Sequence, residues 1–210
     1  MFATDFDVVG HTIEIAEIKD KHIAPFWALL QEGENTRLYR QFYQAQANSE
    51  EDFGRVLLLS IQKDVDTKAT RAIINKSTSE VLGWLIVRSQ DPQNATTTAE
   101  AAIFLPRALR SERGTESMYY ISRVLFGQLG YEKLEFRAGT LTEAWGPGGG
   151  QLGRSLIGVL SRQMLDRSRS IESDLYVSTK ANWLAVSLAV GAWLDSKVST
   201  NADRALGMPS

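Results

Sequence analysis

The chain has 210 residues, of which 43% are hydrophobic and 23% charged, a composition typical of a globular protein and not of a disordered one. Its net charge of −2 offers no basic surplus for binding nucleic acid or an anionic membrane. The chain has no cysteine, which excludes a disulfide scaffold, a thiolate metal site and a cysteine nucleophile. It has only two histidines, His11 and His22, which argues against a multi-histidine metal centre or a Ser-His-Asp hydrolase.

The first half of the chain mixes strand and helix patterns. Alternation or a short apolar run predicts strands over residues 11–18, 70–75, 80–88 and 100–105. Helical spacing of apolar residues predicts helices over 21–30 and 49–63, the second opened by the box-like pair Ser49 and Asp52. Residues 32–48 are irregular or helical, and Gly83 inside a strand indicates a bulge or a close backbone approach.

The second half contains the clearest helix pattern of the chain. Met118, Ile121 and Leu125 fall on one stripe, which predicts a helix over residues 115–129 with Gly130 as its C-cap. The Gly-Pro-Gly-Gly-Gly run at 146–150 breaks the chain. Three further strands and a last amphipathic helix are predicted over residues 133–137, 156–164, 175–179 and 183–194.

No repeat or linker divides the chain, no apolar stretch reaches membrane-spanning length, and residues 1–7 lack a secretory pattern. We therefore expect one cytoplasmic domain over residues 1–210, with its core at about 9–195 and a flexible tail at 196–210. The order of the elements indicates an α+β protein with a mixed sheet and not a doubly wound one.

One stretch carries candidate chemistry. A predicted strand runs through Pro106 into a turn that holds Arg107, Arg110 and Arg113, and this turn enters a helix near Gly114 and Thr115. Backbone N–H groups at a helix N-terminus bind anions, and arginines add charged hydrogen bonds to phosphate oxygens. The alternative is that Ser111 or Thr115 merely caps the helix and that the arginines form a solvated loop.

Residues 105–130, LPRALRSERGTESMYYISRVLFGQLG, resemble the coenzyme A segment of the GCN5-related N-acetyltransferase (GNAT) superfamily. The segment is most similar to the ribosomal-protein-alanine and small-molecule branch, which has a Thr-Glu-Ala helix start. EVLGWLIVR at 80–88, AEAAIFLP at 99–106 and residues 152–178 resemble the strands of the family. The resemblance implies a mixed, mainly antiparallel sheet of six or seven strands flanked by helices, splayed between the strand ending at Leu105 and the strand beginning near Lys133.

The resemblance also implies acetyl-CoA as cosubstrate, no metal, and a set of coenzyme-binding residues. In that fold the thioester carbonyl meets backbone N–H groups of the strand that here holds Ile103, Phe104 and Leu105. The remaining coenzyme contacts would come from Arg110, Arg113, Gly114, Thr115 and Thr142. Glu100 could act through water as the base, or it could be an exposed glutamate paired with a surface cation.

Aromatic residues supply the other candidates. Tyr119, Tyr120 and Tyr176 could donate a proton to the leaving thiolate, although the first two suit packing and Tyr176 suits the core or a pocket wall. By the resemblance, the N-terminal region forms the acceptor side, where we expect an aromatic pocket or an ordinary core. Its residues would be Trp27, Tyr39, Phe42, Tyr43 and Trp84. His22 fits a partly buried helix residue better than a base.

The favoured function is an acyl-CoA-dependent N-acyltransferase that acts on a small-molecule or N-terminal amine by direct transfer, as a monomer or homodimer. Two departures from the family pattern keep other functions open. Arg113 stands where a glycine is usual, and Thr142 replaces an asparagine before the glycine-rich run. The alternatives are a lyase, cyclase or isomerase on the same scaffold, or a non-catalytic acyl-CoA-binding protein.

Overall fold

The computed structural model describes residues 6–32, 47–63, 68–89, 98–104, 108, 111–138, 160–161 and 174–205. The strands are β1 (Val8–Val9), β2 (Ile13–Glu17), β3 (Lys68–Asn75), β4 (Val81–Ser89), β5 (Thr98–Phe104), β6 (Lys133–Ala138), β7 (Leu160–Ser161) and β8 (Asp174–Thr179). The α-helices are α1 (Ile23–Gln31), α2 (Glu50–Lys63), α3 (Glu112–Ser122) and α4 (Lys180–Ala205). A 3-10 turn (Asp20–His22) precedes α1, and a π-helical segment (Arg123–Gln128) continues α3.

All eight described strands belong to one sheet, in the order β1-β2-β3-β4-β5-β6-β8-β7. Every neighbouring pair is antiparallel except β5 and β6, which run parallel and are connected in sequence through α3. The predicted mixed, mainly antiparallel α+β sheet is therefore confirmed. The described residues give eight strands instead of six or seven, because the two-residue strand β1 is too short to produce a periodic pattern. The other short strand, β7, lies within the strand predicted over residues 156–164.

The sheet separates two hydrophobic cores. The first lies against α3 and α4 and includes Ile13, Leu85, Ile121, Leu125 and Trp183. The second lies against α1 and α2 and includes Phe26, Leu30, Phe53, Leu57 and Trp84. β4 contributes alternate residues to both cores, which explains why its sequence is apolar on both faces.

Gly83 lies at the predicted irregularity in β4. The register between β3 and β4 shifts there, since Ile73 pairs with Gly83 while the next residue, Ile74, pairs with Val81. One extra residue on β4 is the definition of a bulge, which confirms that part of the prediction.

Two predicted helix boundaries were wrong. The helix predicted to begin near Gly114 or Thr115 begins at Glu112, because Ser111 is its N-cap. The last helix was predicted over 183–194 with a flexible tail from 196, but α4 starts at Lys180 and continues to Ala205. Its second half is held by polar contacts of Asp195 and Lys197 with distant parts of the chain, which a pattern of apolar residues does not reveal.

Candidate functional site

The turn that leads into α3 is closed by its own hydrogen bonds. The Ser111 hydroxyl accepts from the Gly114 N–H at 3.2 Å, and the Ser111 carbonyl accepts from the Thr115 N–H at 3.3 Å. The Ser111 hydroxyl in turn donates to the Ala108 carbonyl at 2.6 Å. The capping role of Ser111, one of the two sequence interpretations, is confirmed. Of the first turn, the Glu112 and Arg113 N–H groups are the ones that helix geometry leaves for an anion.

The backbone of the turn before α3 leaves no room for a side chain at Gly114. A Cβ at this position would overlap the Ala108 carbonyl oxygen. Gly114 and Thr115 are both buried, and Thr115 is 1% exposed. Gly114 was predicted as a coenzyme contact, and the group that faces its Cβ direction in the described part of the chain is this loop carbonyl.

Of the three arginines in the predicted anion site, Arg113 lies in the described part of the chain. Its residue is half-buried, and its Nε atom is fully buried without a hydrogen-bond partner in the described part of the chain. An unpaired buried donor is costly, so a phosphate oxygen placed there would satisfy an otherwise orphaned group. Arg110, Leu105 and Thr142, also predicted as coenzyme contacts, lie outside the described residues.

Glu116, one turn into α3, is a buried carboxylate that the sequence analysis missed. It is 2% exposed and accepts from the Thr12 N–H at 3.0 Å and from the Thr12 hydroxyl. This contact joins the turn between β1 and β2 to the start of α3. The signal that could have found it is the Thr-Glu pair itself, since an ionisable residue on a buried helix stripe needs a specific partner.

Two polar contacts, one of them an ion pair, connect α4 to the same region. Lys197 Nζ lies 2.9 Å from Glu112 Oε1, in the first turn of α3, and His11 Nε2 lies 3.1 Å from Asp195 Oδ1. The Lys197 ammonium neutralises an acidic side chain that would otherwise oppose an anion at the α3 N-terminus.

The parallel pairing of β5 with β6 is shorter than β5 itself. It runs from the pair Thr98 and Lys133 to the pair Ala102 and Arg137. Beyond it, Ile103 and Phe104 pair with β4, opposite Leu85 and Trp84. The predicted separation of the two strands lies beyond this point, where the residues that follow Ala138 are outside the described part of the chain.

Glu100 and Tyr176 occupy adjacent rows of the sheet. Glu100 pairs with Arg88 on β4 and with Glu135 on β6, whereas Tyr176 pairs with Phe136 on β6 and with Leu160 on β7. The register therefore does not bring the two predicted catalytic residues into one row.

Glu135, in the row of Glu100, is a second glutamate that the sequence analysis missed. Its side chain is 13% exposed and lies 2.6 Å from Lys133 Nζ. The register therefore sets Glu100 and Glu135 side by side on neighbouring strands.

The described aromatic residues of the predicted acceptor pocket lie in the core beside α1 and α2. Trp84 is 1% exposed, and its ring centroid is 4.9 Å from that of Phe26 in an edge-to-face contact. Trp27 is half-buried with its ring 6.0 Å from Phe53. Tyr39, Phe42 and Tyr43 lie outside the described residues. The ordinary-core interpretation accounts for Trp84, while Trp27 retains an exposed edge.

His22 is a satisfied helix residue, as the sequence indicated. It is buried, and its Nδ1 accepts from the Lys19 N–H at 3.0 Å. Burial lowers the pKa of His22, and the nearby Lys21 and Lys19 charges lower it further. The imidazole is thus mainly neutral at pH 7, and its Nδ1 closes the 3-10 turn that precedes α1.

Tyr119 and Tyr120 are packing residues. Their rings are 5.2 Å apart, and Tyr119 lies 5.2 Å from the ring of Trp183 on α4. Burial raises the pKa of Tyr120, and the Glu116 charge raises it further, which makes this hydroxyl a weaker proton donor.

In the described ranges, no three histidine, aspartate or glutamate side chains are grouped closely enough to hold a metal ion. Among the described helices, none is long and apolar enough to cross a membrane.

No protein-family model and no curated protein matches this chain. Solved structures do match. A GCN5-related N-acetyltransferase from Brucella melitensis aligns with a TM-score of 0.69 at 20% identity, over 90% of this chain and 85% of that one. A GNAT-family acetyltransferase from Bacillus anthracis aligns with a TM-score of 0.61 at 10% identity, over 84% of this chain and 99% of that one. A structure assigned as a ribosomal-protein-serine acetyltransferase from Vibrio cholerae aligns with a TM-score of 0.62 at 10% identity, over 85% and 99%. At these identities the likeness shows the fold, which is the fold that the sequence resemblance predicted.

Proposed function

We propose, from the fold that this chain shares with the GCN5-related N-acetyltransferases, that it is an acyl-CoA-dependent N-acyltransferase acting on a small-molecule or N-terminal amine. The observation that carries the proposal is the N-terminus of α3, where the buried Nε of Arg113 has no hydrogen-bond partner in the described part of the chain. This helix connects the parallel strands β5 and β6, and its N-terminus offers N–H groups and a cationic donor to a pyrophosphate.

The described residues suit an anionic coenzyme at this end of α3. The Glu112 and Arg113 N–H groups would face the phosphates, and the orphaned Nε of Arg113 would donate to a phosphate oxygen. When bound, acetyl-CoA supplies the activated acyl group. Gly114 and Ser111 hold the turn in shape and do not themselves offer a donor, because the Gly114 N–H is already bonded.

The reaction requires three events. The acceptor amine attacks the thioester carbonyl, the carbon–sulfur bond breaks, and one proton leaves the nitrogen while the thiolate gains one. Backbone N–H groups of Ile103 and Phe104 would stabilise the oxyanion. Glu100 would take the amine proton through water, with Glu135 beside it in the sheet. Tyr176 remains the proposed proton donor or pocket wall.

Coenzyme A binding and acetyl transfer test the proposal separately. Replacing Arg110 and Arg113 together with Ala should weaken coenzyme A binding by about 1–3 kcal/mol, since each change removes a charged hydrogen bond. Binding by the wild type should also weaken with added salt. Lys180→Gln removes a cation at the opposite end of the sheet, next to Glu132, and serves as a control that should leave binding unchanged. Equal binding by the double variant, with its fold intact, would mean that the arginines are a solvated loop.

Turnover decides between the enzyme and its alternatives. We expect acetyl-CoA consumption with a narrow set of amines and a lower rate in Glu100→Gln. Because Thr142 stands where an asparagine is usual, a loosely held thioester would lose the alignment on which transfer depends, at a cost of about a hundredfold in rate. Coenzyme binding without turnover on any amine would favour a binding protein or a different reaction.

A further inference from the structure

We propose that Glu116 is a positioning residue for the coenzyme site: it holds the first turns of α3 against the turn between β1 and β2. This inference rests on the proposed function, because it assigns to Glu116 the alignment of the N–H groups that would receive the phosphates. Glu116 itself is one helical turn from Glu112 and is too deeply buried to touch a ligand, with 2% of its surface exposed.

The Glu116 carboxylate is held by hydrogen bonds from a single residue, Thr12, in the turn between β1 and β2. Thr12 donates its N–H to both carboxylate oxygens, at 3.0 and 3.3 Å, and its hydroxyl to Oε2. The polar contacts of Glu116 in the described part of the chain all go to Thr12. Burying a carboxylate without a cation is costly, and a hydrophobic residue would serve packing better. The group therefore selects one geometry between the turn and the helix.

The turn is built around this carboxylate. A Cβ on Gly10 would lie 2.5 Å from Glu116 Oε1 and 2.8 Å from the Tyr120 ring, so the site requires glycine. The Thr12 carbonyl accepts from the Lys76 N–H at 2.9 Å, and Lys76 Nζ donates to the Gly10 carbonyl at 3.0 Å. The partner of Glu116 is thus anchored to the end of β3, in the sheet.

The contacts of Glu116 and Glu112 together hold the first turn of α3 in place. Glu112 lies exposed in the first turn of α3, and Glu116 is buried one turn later. Glu116 is bound to the sheet through Thr12, and Glu112 is bound to α4 through Lys197 at 2.9 Å. The first turn of α3 is thereby fixed from two sides, and its N–H groups cannot shift relative to the end of β5 without breaking one of these contacts.

Three single variants and one double variant test the proposal by coenzyme A affinity, measured by calorimetry on the full chain. In Glu116→Ala the dissociation constant should rise about tenfold, since the lost contact is a charged hydrogen bond. Glu116→Gln keeps an acceptor for the Thr12 N–H and should restore affinity to within about threefold. Thr12→Val removes the hydroxyl alone and should weaken coenzyme A binding by a few-fold. The double variant Glu116→Gln and Thr12→Val should show coupling between the two positions.

The control is a variant with a comparable loss of stability elsewhere. Leu57→Ala opens a cavity in the core beside α1 and α2, on the other face of the sheet, and should lower the melting temperature without changing coenzyme A affinity. If Glu116→Ala resembles Leu57→Ala, less stable but binding coenzyme A as the wild type does, Glu116 is structural only and the proposal is wrong. If Glu116→Ala does not fold, Thr12→Val carries the same test.

The wild type separates the two proposals. If it binds coenzyme A and the Glu116 and Thr12 variants bind it equally well, the positioning role fails and the proposed function stands. If the wild type does not bind coenzyme A, both fail.

Discussion

The carbonyl oxygen of Ala108 lies directly over the Cα of Gly114, where a side chain would overlap it. The same carbonyl accepts hydrogen bonds from the N–H and the hydroxyl of Ser111, at 3.1 and 2.6 Å. The turn before α3 is thus closed by backbone contacts within seven positions, from Ala108 to Gly114. The shape of this turn depends on interactions between neighbouring residues. Single substitutions can test how that shape affects ligand binding.

Gly114→Ala should destabilise the protein by about 1–3 kcal/mol, because the new methyl group meets a backbone oxygen that cannot rotate away. Coenzyme A binding should weaken in the same variant, since the first turn of α3 must shift. Gly127→Ala is the matched control, as nothing lies within 4 Å of a Cβ there. It should be neutral or stabilising by about 0.5–1 kcal/mol in urea unfolding, because alanine is the better helix former. Equal stability of the two variants would contradict the contact with Ala108.

Ser111→Ala and Ser111→Asp separate the cap from the anion site. Loss of the cap in the alanine variant should cost about 1 kcal/mol of unfolding free energy. Aspartate is an equally good cap, so that variant should keep its stability. It also adds a negative charge beside the proposed phosphates and should weaken coenzyme A binding. Undiminished binding by Ser111→Asp would show that the phosphates lie elsewhere.

The pair of Lys197 and Glu112 should affect affinity more than stability. The pair is half-exposed, so Lys197→Gln should change the unfolding free energy by less than about 1 kcal/mol. It leaves the Glu112 charge uncompensated at the α3 N-terminus, which should weaken coenzyme A binding about two- to fivefold. Glu112→Gln should act in the opposite direction. The same sign of change in both variants would contradict this electrostatic explanation.

Stability should fall on acidification through the titration of His22. Burial and the charges of Lys21 and Lys19 lower its pKa in the folded state below the ordinary value of 6.5. The unfolded chain therefore binds a proton first as the pH falls, so the contribution of neutral His22 is complete above 6.5 and is lost as the pH drops toward the folded pKa.

The measurement is the melting temperature between pH 7.5 and 5 in the wild type and in His22→Asn. The variant should be less stable at pH 7.5 and should lose stability less steeply on acidification, because asparagine does not titrate. His11→Asn, which keeps His22, controls for the removal of a histidine. Parallel curves for wild type and His22→Asn would show that another group governs the acid transition.

The strands and helices with strong local patterns were predictable from the sequence. The alternation in residues 13–17, the stripe of Met118, Ile121 and Leu125, and Gly130 directly after the C-cap Leu129 each arise from interactions within a few residues. Gly130 has φ of 74°, in the left-handed region that glycine adopts readily. Ser111 and Thr115 were both possible caps from the sequence, and the hydrogen bond from the Gly114 N–H to the Ser111 hydroxyl identifies Ser111.

The roles of Glu116 and Trp84 depended on residues that are far away in the chain. Glu116 meets Thr12 across 104 positions, and no local rule predicts which distant donor a buried carboxylate will find. Trp84 packs against Phe26 because α1 folds onto the second face of the sheet, so its burial follows from topology and not from its own segment. Local sequence determined where elements form and how they end, because capping and periodicity act over a few residues. Only the tertiary structure decided which polar groups face one another, because burial and pairing are set by the packing of the whole sheet against its helices.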